Sequence, residues 1–168
     1  MSREALFAAL RQICGSDALA LDAAALEQAR HDVHESGGAP IAVLSPPDSA
    51  ALGGAVAAIT GHGVAVVPRG GGLSYTGGYV LPEGGAVLID LSRMNRVVAI
   101  DADSMTVTVE AGATWKAIDQ ALAQRGLRLP FFGTFSGAGA TVGGGLSHGA
   151  LFFGSARHGS AADIVLSM

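Results

Sequence analysis

The chain has 168 residues and a formal net charge of −4, and 49% of its residues are hydrophobic while only 14% are charged, against about 25% in an average soluble protein. That length suits one folding unit, and the low charge predicts that another chain, missing sequence or an apolar cleft covers part of the surface. The basic residues are scattered and include a single lysine, which argues against nucleic acid as a binding partner. No apolar stretch approaches the ~18 residues of a membrane span, and a lone Cys14 excludes an internal disulfide. We therefore expect a cytoplasmic protein.

The first 36 residues are predicted to be a helical lead-in. Apolar residues recur at helical spacing over residues 3–13, and Gly15 follows them. A second short helix is predicted over residues 23–30, before a polar stretch at residues 31–38. The main domain is therefore expected over residues 37–168.

The next elements predict a parallel α/β unit. A short apolar strand at residues 41–44 precedes an alanine-rich helix at residues 49–60, for which Asp48 is a suitable N-cap. A second apolar strand at residues 64–67 completes a strand, helix, strand order, which is typical of a right-handed crossover. Such sheets bind ligands at the carboxyl ends of their strands.

The remainder predicts a third strand of the first part and then a second, antiparallel part. A strand at residues 86–90 precedes two strands, 97–100 and 106–109, that flank a hairpin turn, and a helix follows at residues 114–124. Residues 131–158 predict loops and short helices, and residues 163–166 predict another strand. We expect an α+β fold with subdomains at residues 37–95 and 96–168, the second incomplete because the chain is truncated.

A glycine-rich segment follows the second predicted strand. It reads Val66-Val67-Pro68-Arg69-Gly70-Gly71-Gly72-Leu73-Ser74-Tyr75-Thr76-Gly77-Gly78. Consecutive glycines after a strand can gather several backbone N–H groups into a concave surface that binds phosphate or pyrophosphate. The Ser74 and Thr76 hydroxyls and the Arg69 guanidinium could add donors. Taken alone, this cluster is equally compatible with a tight turn.

A second small-residue segment covers residues 137–149 and reads Gly-Ala-Gly-Ala-Thr-Val-Gly-Gly-Gly-Leu-Ser-His-Gly. Its small side chains would let the backbone lie against a flat ring or the far side of a diphosphate. Two such loops in a chain where 25 of 168 residues are glycine, about twice the usual share of roughly 7%, predict a ligand site. A P-loop is excluded because the only lysine is Lys116, and neither segment completes the GxGxxG dinucleotide fingerprint.

Residues 40–168 resemble the FAD-linked oxidases of the vanillyl-alcohol-oxidase, or p-cresol methylhydroxylase, type. The resemblance rests on a P-x-A-V-x-x-P strand at residues 40–46, the loop at residues 69–78, the loop at residues 141–145 and Arg157-His158-Gly159. That family includes D-lactate, glycolate and D-2-hydroxyglutarate dehydrogenases, cytokinin dehydrogenases and sugar oxidases. It implies two α+β subdomains with FAD between them.

By this resemblance the first loop would hold the pyrophosphate, and the second would lie along the diphosphate, ribityl and flavin portions. Family members often bind FAD covalently through a histidine in a Gly-Gly-His-Ser pattern, and Leu73 at that position predicts non-covalent FAD. The implied cofactor-binding residues are Arg69, Gly70, Gly71, Gly72, Leu73, Ser74, Tyr75, Thr76, Gly77, Gly78, Ser136, Gly137, Ala138, Thr141, Val142, Gly143, Gly144, Gly145, Ser147, His148, Gly149, His158 and Gly159.

The sequence does not identify a catalytic residue, and it predicts no metal site. His31, His34 and His62 fall in polar turns and are expected to be solvated. His148 and His158 fall in the expected flavin loops, where positive charge would stabilise a reduced ring, although capping or packing is the commoner role of a loop histidine.

The activity implied by the resemblance is oxidation of a small alcohol or a 2-hydroxy acid by hydride transfer to flavin N5, with reoxidation by oxygen or an electron carrier. In the family a later cap domain supplies most substrate-binding residues, so we expect this chain alone to bind FAD poorly and to be inactive. The alternatives are an FAD-binding subunit of a multi-subunit oxidase, a sugar-nucleotide reductase of related fold and a non-catalytic binder of a phosphorylated ligand.

Overall fold

The computed structural model of the chain describes residues 2–130 and 135–168, which divide into two compact units, Met1–Met94 and Asn95–Met168. Both units combine helices with strands, so the α+β prediction is confirmed. The expected subdomain boundary lay one residue later, between residues 95 and 96. The expected helical lead-in does not stand apart, because its first helix packs in the core of the first unit.

Three helices of the first unit begin at side-chain caps. They are α1 (Arg3–Cys14), α2 (Ala23–Ala29) and α3 (Ser49–Gly61). Ser2, Asp22 and Asp48 each accept a hydrogen bond from the backbone N–H three residues later, which satisfies a donor that the helix itself cannot pair. Gly15 ends α1 at φ 93°, a conformation that other residues rarely adopt.

Four strands form the sheet of the first unit, in the order β1-β2-β4-β3. They are β1 (Leu19–Ala20), β2 (Ala42–Leu44), β3 (Val66–Arg69) and β4 (Val87–Asp90). The predicted strands β2 and β3 both run parallel to β4, which lies between them, and β1 is antiparallel to β2. The carboxyl ends of β3 and β4 therefore lie side by side, with Arg69 opposite Asp90.

Both faces of the sheet are covered. Leu10 of α1 and Ile59 of α3 pack with Val87 and Ile89 on one face, and Leu88, which points the other way, packs with Ala29 and Tyr79. Because β4 is buried on both faces, its sequence is an unbroken apolar run rather than an alternating one.

The second unit begins with an antiparallel hairpin of β5 (Val97–Asp101) and β6 (Thr106–Val109), as predicted. The Asp101 carboxylate accepts the N–H groups of Asp103 and Ser104 at 3.0 Å each, which stabilises the turn. Helix α4 (Trp115–Ala123) packs on the hairpin through a face that includes Trp115 and Ile118.

Short helices make up the rest of the described chain. They are a 3-10 helix at Phe135–Ala138, α5 (Val142–Ser147), α6 (Ser155–His158) and a 3-10 helix at Ala161–Ile164. The predicted strand at residues 163–166 is therefore wrong. Asp163 Oδ2 accepts the N–H and the hydroxyl of Ser160 at 2.6 and 2.8 Å, and these local bonds favour a turn of helix over a strand. Within the described ranges, no helix has the length and apolar character needed to cross a bilayer.

Candidate cofactor site

The first glycine loop begins where β3 ends, at Arg69. The backbone N–H groups of residues 70–75 donate no hydrogen bond to any residue in the described part of the chain. Gly72 and Gly77 have φ angles of 69° and 66°, in the left-handed region that only glycine adopts without strain. Six successive unpaired backbone donors on a loop folded by glycines are an arrangement suited to an anionic ligand, and the ligand site itself stays a prediction.

The Arg69 side chain lies against this loop. A Cβ built on Gly72 would come within 2.5 Å of Arg69 Nη2 and 3.0 Å of Nε. The guanidinium makes a 3.4 Å ion pair from Nη1 to Asp90 Oδ2 and lies 5.3 Å from the centroid of the Tyr79 ring. Its Nε is buried and has no hydrogen-bond partner among the described residues. A buried donor without an acceptor is costly, so this position favours a bound anion.

In the second half of the loop, residues 76–78, the backbone N–H groups are already bonded to acceptors of the protein. Ser74 Oγ accepts the N–H groups of Thr76 and Gly78 at 3.2 Å each, and the Gly77 N–H donates to Asp32 Oδ2 at 2.8 Å. These bonds use the Ser74 hydroxyl as an acceptor, and its O–H, which lies 3.5 Å from Thr76 Oγ1, can still donate to a ligand. The unpaired backbone N–H groups of this loop are those of residues 70–75.

A turn at residues 31–36 contacts the loop and was not assigned to the site from sequence. Asp32 Oδ1 accepts the N–H groups of Glu35 and His34 at 2.6 and 2.7 Å. These backbone bonds, that of Glu35 first, hold the pKa of the Asp32 carboxyl below its ordinary value. The Val33 N–H donates to the Ser74 carbonyl oxygen at 3.1 Å. An aspartate whose carboxylate accepts the backbone N–H groups two and three residues later is typical of a turn, and this signal was available in the sequence.

Tyr79 joins the turn to the loop from within the first unit. Its buried hydroxyl lies 2.7 Å from the His31 carbonyl oxygen and 3.0 Å from the Gly72 carbonyl oxygen. Burial raises the pKa of the phenol, so the hydroxyl stays protonated and acts as a donor. The His31 ring itself lies between Glu27 Oε1, at 3.0 Å, and Ser36 Oγ, at 2.7 Å.

The second loop, in the second unit, has a different hydrogen-bond arrangement. At the start of α5, the Val142 N–H donates to the Ala113 carbonyl at 2.8 Å, Gly143 to the Ala111 carbonyl at 2.9 Å, and Gly144 to the Thr141 hydroxyl at 3.3 Å. The first three N–H groups of this helix are therefore already paired. The predicted second anion contact has no free donors at this helix start.

Two glycines of this loop are required by packing inside the unit. A Cβ on Gly143 would lie 2.9 Å from the Ala111 carbonyl oxygen, and one on Gly145 would lie 2.9 Å from Trp115 Cζ2. A flat ring does lie against the glycine run, and it is that of Trp115. Gly144, between them, meets only the Thr141 hydroxyl at 3.2 Å.

The other predicted site residues of the second unit lie on short elements. His148 follows α5, His158 ends α6, and both are exposed. Gly137 is buried and Ala138 is exposed in the 3-10 helix that also contains Ser136, while residues 131–134 lie outside the described residues. Gly149, which follows the C-cap of α5, and Gly159, the C-cap of α6, have φ angles of 63° and 81°.

Comparison with known proteins gives one family and many structures of the same fold. A family described as FAD binding domain matches residues 40–168. The mitochondrial D-lactate dehydrogenase (cytochrome) of Arabidopsis thaliana is 31% identical over 139 residues, which make up 83% of this chain and 24% of that protein. The chain thus spans about a quarter of that relative.

Two solved structures illustrate the fold. An alkyldihydroxyacetonephosphate synthase matches 99% of this chain and 36% of its own with a TM-score of 0.90 and 22% identity. p-Cresol methylhydroxylase with substrate bound matches 88% of this chain and 30% of its own with a TM-score of 0.75 and 21% identity. At such identities the two structures establish the fold alone.

Proposed function

The chain belongs to the FAD binding domain family of the p-cresol methylhydroxylase and vanillyl-alcohol-oxidase type, and we propose that it holds FAD in an enzyme that oxidises a small alcohol or a 2-hydroxy acid. FAD is the cofactor of this family, and the chain is the FAD-binding part of a flavin-dependent oxidoreductase. Lactate, named for the Arabidopsis thaliana relative, is a 2-hydroxy acid, which supports the proposed substrate class.

The first loop fits the diphosphate of FAD. It combines the unpaired N–H groups of residues 70–75 with the buried Nε of Arg69, which also lacks a protein acceptor among the described residues. Backbone donors and a guanidinium bind phosphate oxygens without needing a strongly basic surface. This run of free donors beside Arg69 is the observation that carries the proposal, and we assign the diphosphate to residues 69–78.

For the second loop we propose contacts with the ribityl and flavin portions. The N–H groups at the start of α5 are already used, which favours packing contacts over phosphate binding here. Small residues such as Ala138, and the exposed His148 and His158, remain available to a ligand. The proposed contacts of the second unit are Ser136, Gly137, Ala138, Thr141, Val142, Gly143, Gly144, Gly145, Ser147, His148, Gly149, His158 and Gly159.

In this proposal the protein residues bind and orient, and none of them is assigned a proton transfer. When bound, FAD supplies a two-electron acceptor, and the proposed chemistry is hydride transfer from the substrate carbon to flavin N5. The substrate is proposed to be held by a cap domain or a partner subunit, because the chain spans about a quarter of its curated relative. A cytoplasmic location stays a prediction.

The proposal is tested by titrating the purified chain with FAD and following flavin fluorescence, with ADP as competitor. We expect weak but saturable binding in which FAD is preferred over ADP, and no oxidation of lactate or glycolate by the chain alone. Equal affinity for FAD and ADP would favour a binder of some other phosphorylated ligand. If the folded chain binds neither, the titration is repeated with a longer protein that contains this chain, and absence of FAD binding there contradicts the proposal. Copurification with a second polypeptide would favour the multi-subunit arrangement.

Non-covalent attachment is proposed because Leu73 stands where a flavin-linking histidine would be. Acid precipitation of the loaded protein should leave all flavin in the supernatant. Flavin that remains in the washed precipitate would show a covalent bond at another residue.

A further inference from the structure

We propose that Tyr79 and Asp32 are positioning residues that turn the N–H groups of the glycine loop towards the diphosphate. The inference rests on the proposed function, since it concerns how the same loop recognises its ligand. It deepens that function by assigning a role to the turn at residues 31–36 and to Tyr79, neither of which lies within the glycine motif.

The geometry of the peptide bond fixes where two N–H groups of the loop point. In a trans peptide the carbonyl oxygen and the following N–H point in opposite directions. The Gly72 carbonyl oxygen lies 3.0 Å from the Tyr79 hydroxyl, so the N–H of Leu73, in the same peptide plane, points away from Tyr79. The Ser74 carbonyl accepts the Val33 N–H at 3.1 Å, so the N–H of Tyr75 points away from the turn.

Asp32 holds the C-terminal end of the loop. Asp32 Oδ2 accepts the Gly77 N–H at 2.8 Å while Oδ1 accepts two N–H groups of its own turn. The carboxylate thereby joins the turn to the loop across 45 residues of sequence. Loop residues 72, 74 and 77 are thus all bonded on the side of Tyr79 and the turn, and the unpaired N–H groups of Leu73 and Tyr75 point to the other side.

A loop rich in glycine loses much conformational entropy when it becomes ordered. Glycine loses more backbone freedom on ordering than any other residue, so a loose loop would bind its ligand weakly. A buried tyrosine and an ionised aspartate fix the loop before the ligand arrives, which lowers that cost. The affinity for a diphosphate therefore depends on groups that need not touch it.

The test compares the affinities of the Tyr79→Phe and Asp32→Ala variants for FAD and for riboflavin with those of the unsubstituted chain. Tyr79→Phe removes only the hydroxyl and keeps the ring beside Arg69. Asp101→Ala is the matched control, because Asp101 also accepts two N–H groups of its own turn but contacts no glycine loop within the described residues. Thermal unfolding of each variant separates loss of affinity from loss of fold.

Each positioning variant should weaken FAD binding about fivefold to tenfold and leave riboflavin, which lacks the diphosphate, unchanged. Asp101→Ala should change neither affinity, and Asp32→Asn, which keeps an acceptor oxygen, should recover part of the loss. Wild-type FAD affinity in both folded variants would overturn the inference, and so would an equal loss for both ligands. If neither the unsubstituted chain nor a longer protein that contains it binds FAD, the proposed function fails and this inference fails with it.

Discussion

Gly145 lies so close to the Trp115 indole that a Cβ on residue 145 would come within 2.9 Å of Cζ2 and 3.0 Å of Nε1. The indole cannot easily yield, because it is buried and packs edge-on against Phe152, with ring centroids 5.1 Å apart. Helix α5 can approach α4 this closely only because residue 145 has no side chain.

Gly145→Ala should therefore destabilise the protein, although alanine is the better helix former by about 1 kcal/mol. Overpacking of this kind costs about 1–3 kcal/mol, and we expect a net loss that chemical denaturation can measure. Gly53→Ala is the control, since Gly53 is exposed on α3 and a Cβ added there would meet nothing within 4 Å, so this variant should be neutral or stabilising. A Gly145→Ala protein as stable as the wild type would contradict the packing argument.

Arg69 should act through its shape as well as its charge. Arg69→Met removes the charge beside Asp90 and should weaken FAD binding at least tenfold, because a charge-assisted donor is lost. Arg69→Lys keeps the charge but loses the planar fork and the contact with Tyr79, so its affinity should be intermediate. The measurement is the FAD dissociation constant at low and high salt, and a lysine variant equal to wild type would mean that only net charge matters.

Much of this fold follows from local sequence signals. Helix α3 with its Asp48 cap, the hairpin around Asp101 and the glycine loop after β3 were all predicted, because each depends on residues near one another in the chain. The family and its cofactor followed from the same loops. Such features need only short-range patterns.

The wrong strand at residues 163–166 and the unassigned Asp32 turn were local errors, but other parts were missed because they depend on contacts between distant residues. The Tyr79 hydroxyl meets the His31 carbonyl 48 residues away, and the short strand β1 exists only because Leu19 pairs with Leu44. Ordinary residues at these positions give no pattern from which the pairing follows. The packing role of Gly145 was likewise hidden, because a glycine run looks the same whether a ligand or an indole ring lies against it.

The Arg96–Glu110 pair should make the stability of the second unit depend on acid. Arg96 Nη2 lies 2.6 Å from Glu110 Oε1, and the Arg96 backbone N–H donates to Oε2 at 2.8 Å. These bonds, the side-chain bond first, hold the pKa of Glu110 below its ordinary value. A lowered pKa stabilises the fold fully above the unfolded pKa, about 4.3, and the contribution is lost as the pH falls through the folded pKa.

Glu110→Gln should therefore lower the melting temperature at pH 7, and its difference from wild type should shrink as the pH falls below about 4. Thermal unfolding followed by circular dichroism between pH 3 and pH 7, values chosen to bracket the carboxyl range of about 4, measures this. Asp119→Asn, which removes a carboxylate of the same unit with no ion pair among the described residues, is the control. A difference that is constant with pH would contradict the assignment.

The most direct test of the glycine loop is Gly71→Asp. Gly71 carries the second of the six free donors, and a carboxylate there would compete with the diphosphate for those N–H groups and repel its charge. We expect FAD binding to be lost while the melting temperature changes little, because Gly71 is exposed. Gly53→Asp adds the same side chain to an exposed face of α3 and should bind FAD like the wild type. Wild-type FAD affinity in both Gly71→Asp and Gly53→Asp would place the diphosphate elsewhere, because a diphosphate site could not accommodate an aspartate side chain.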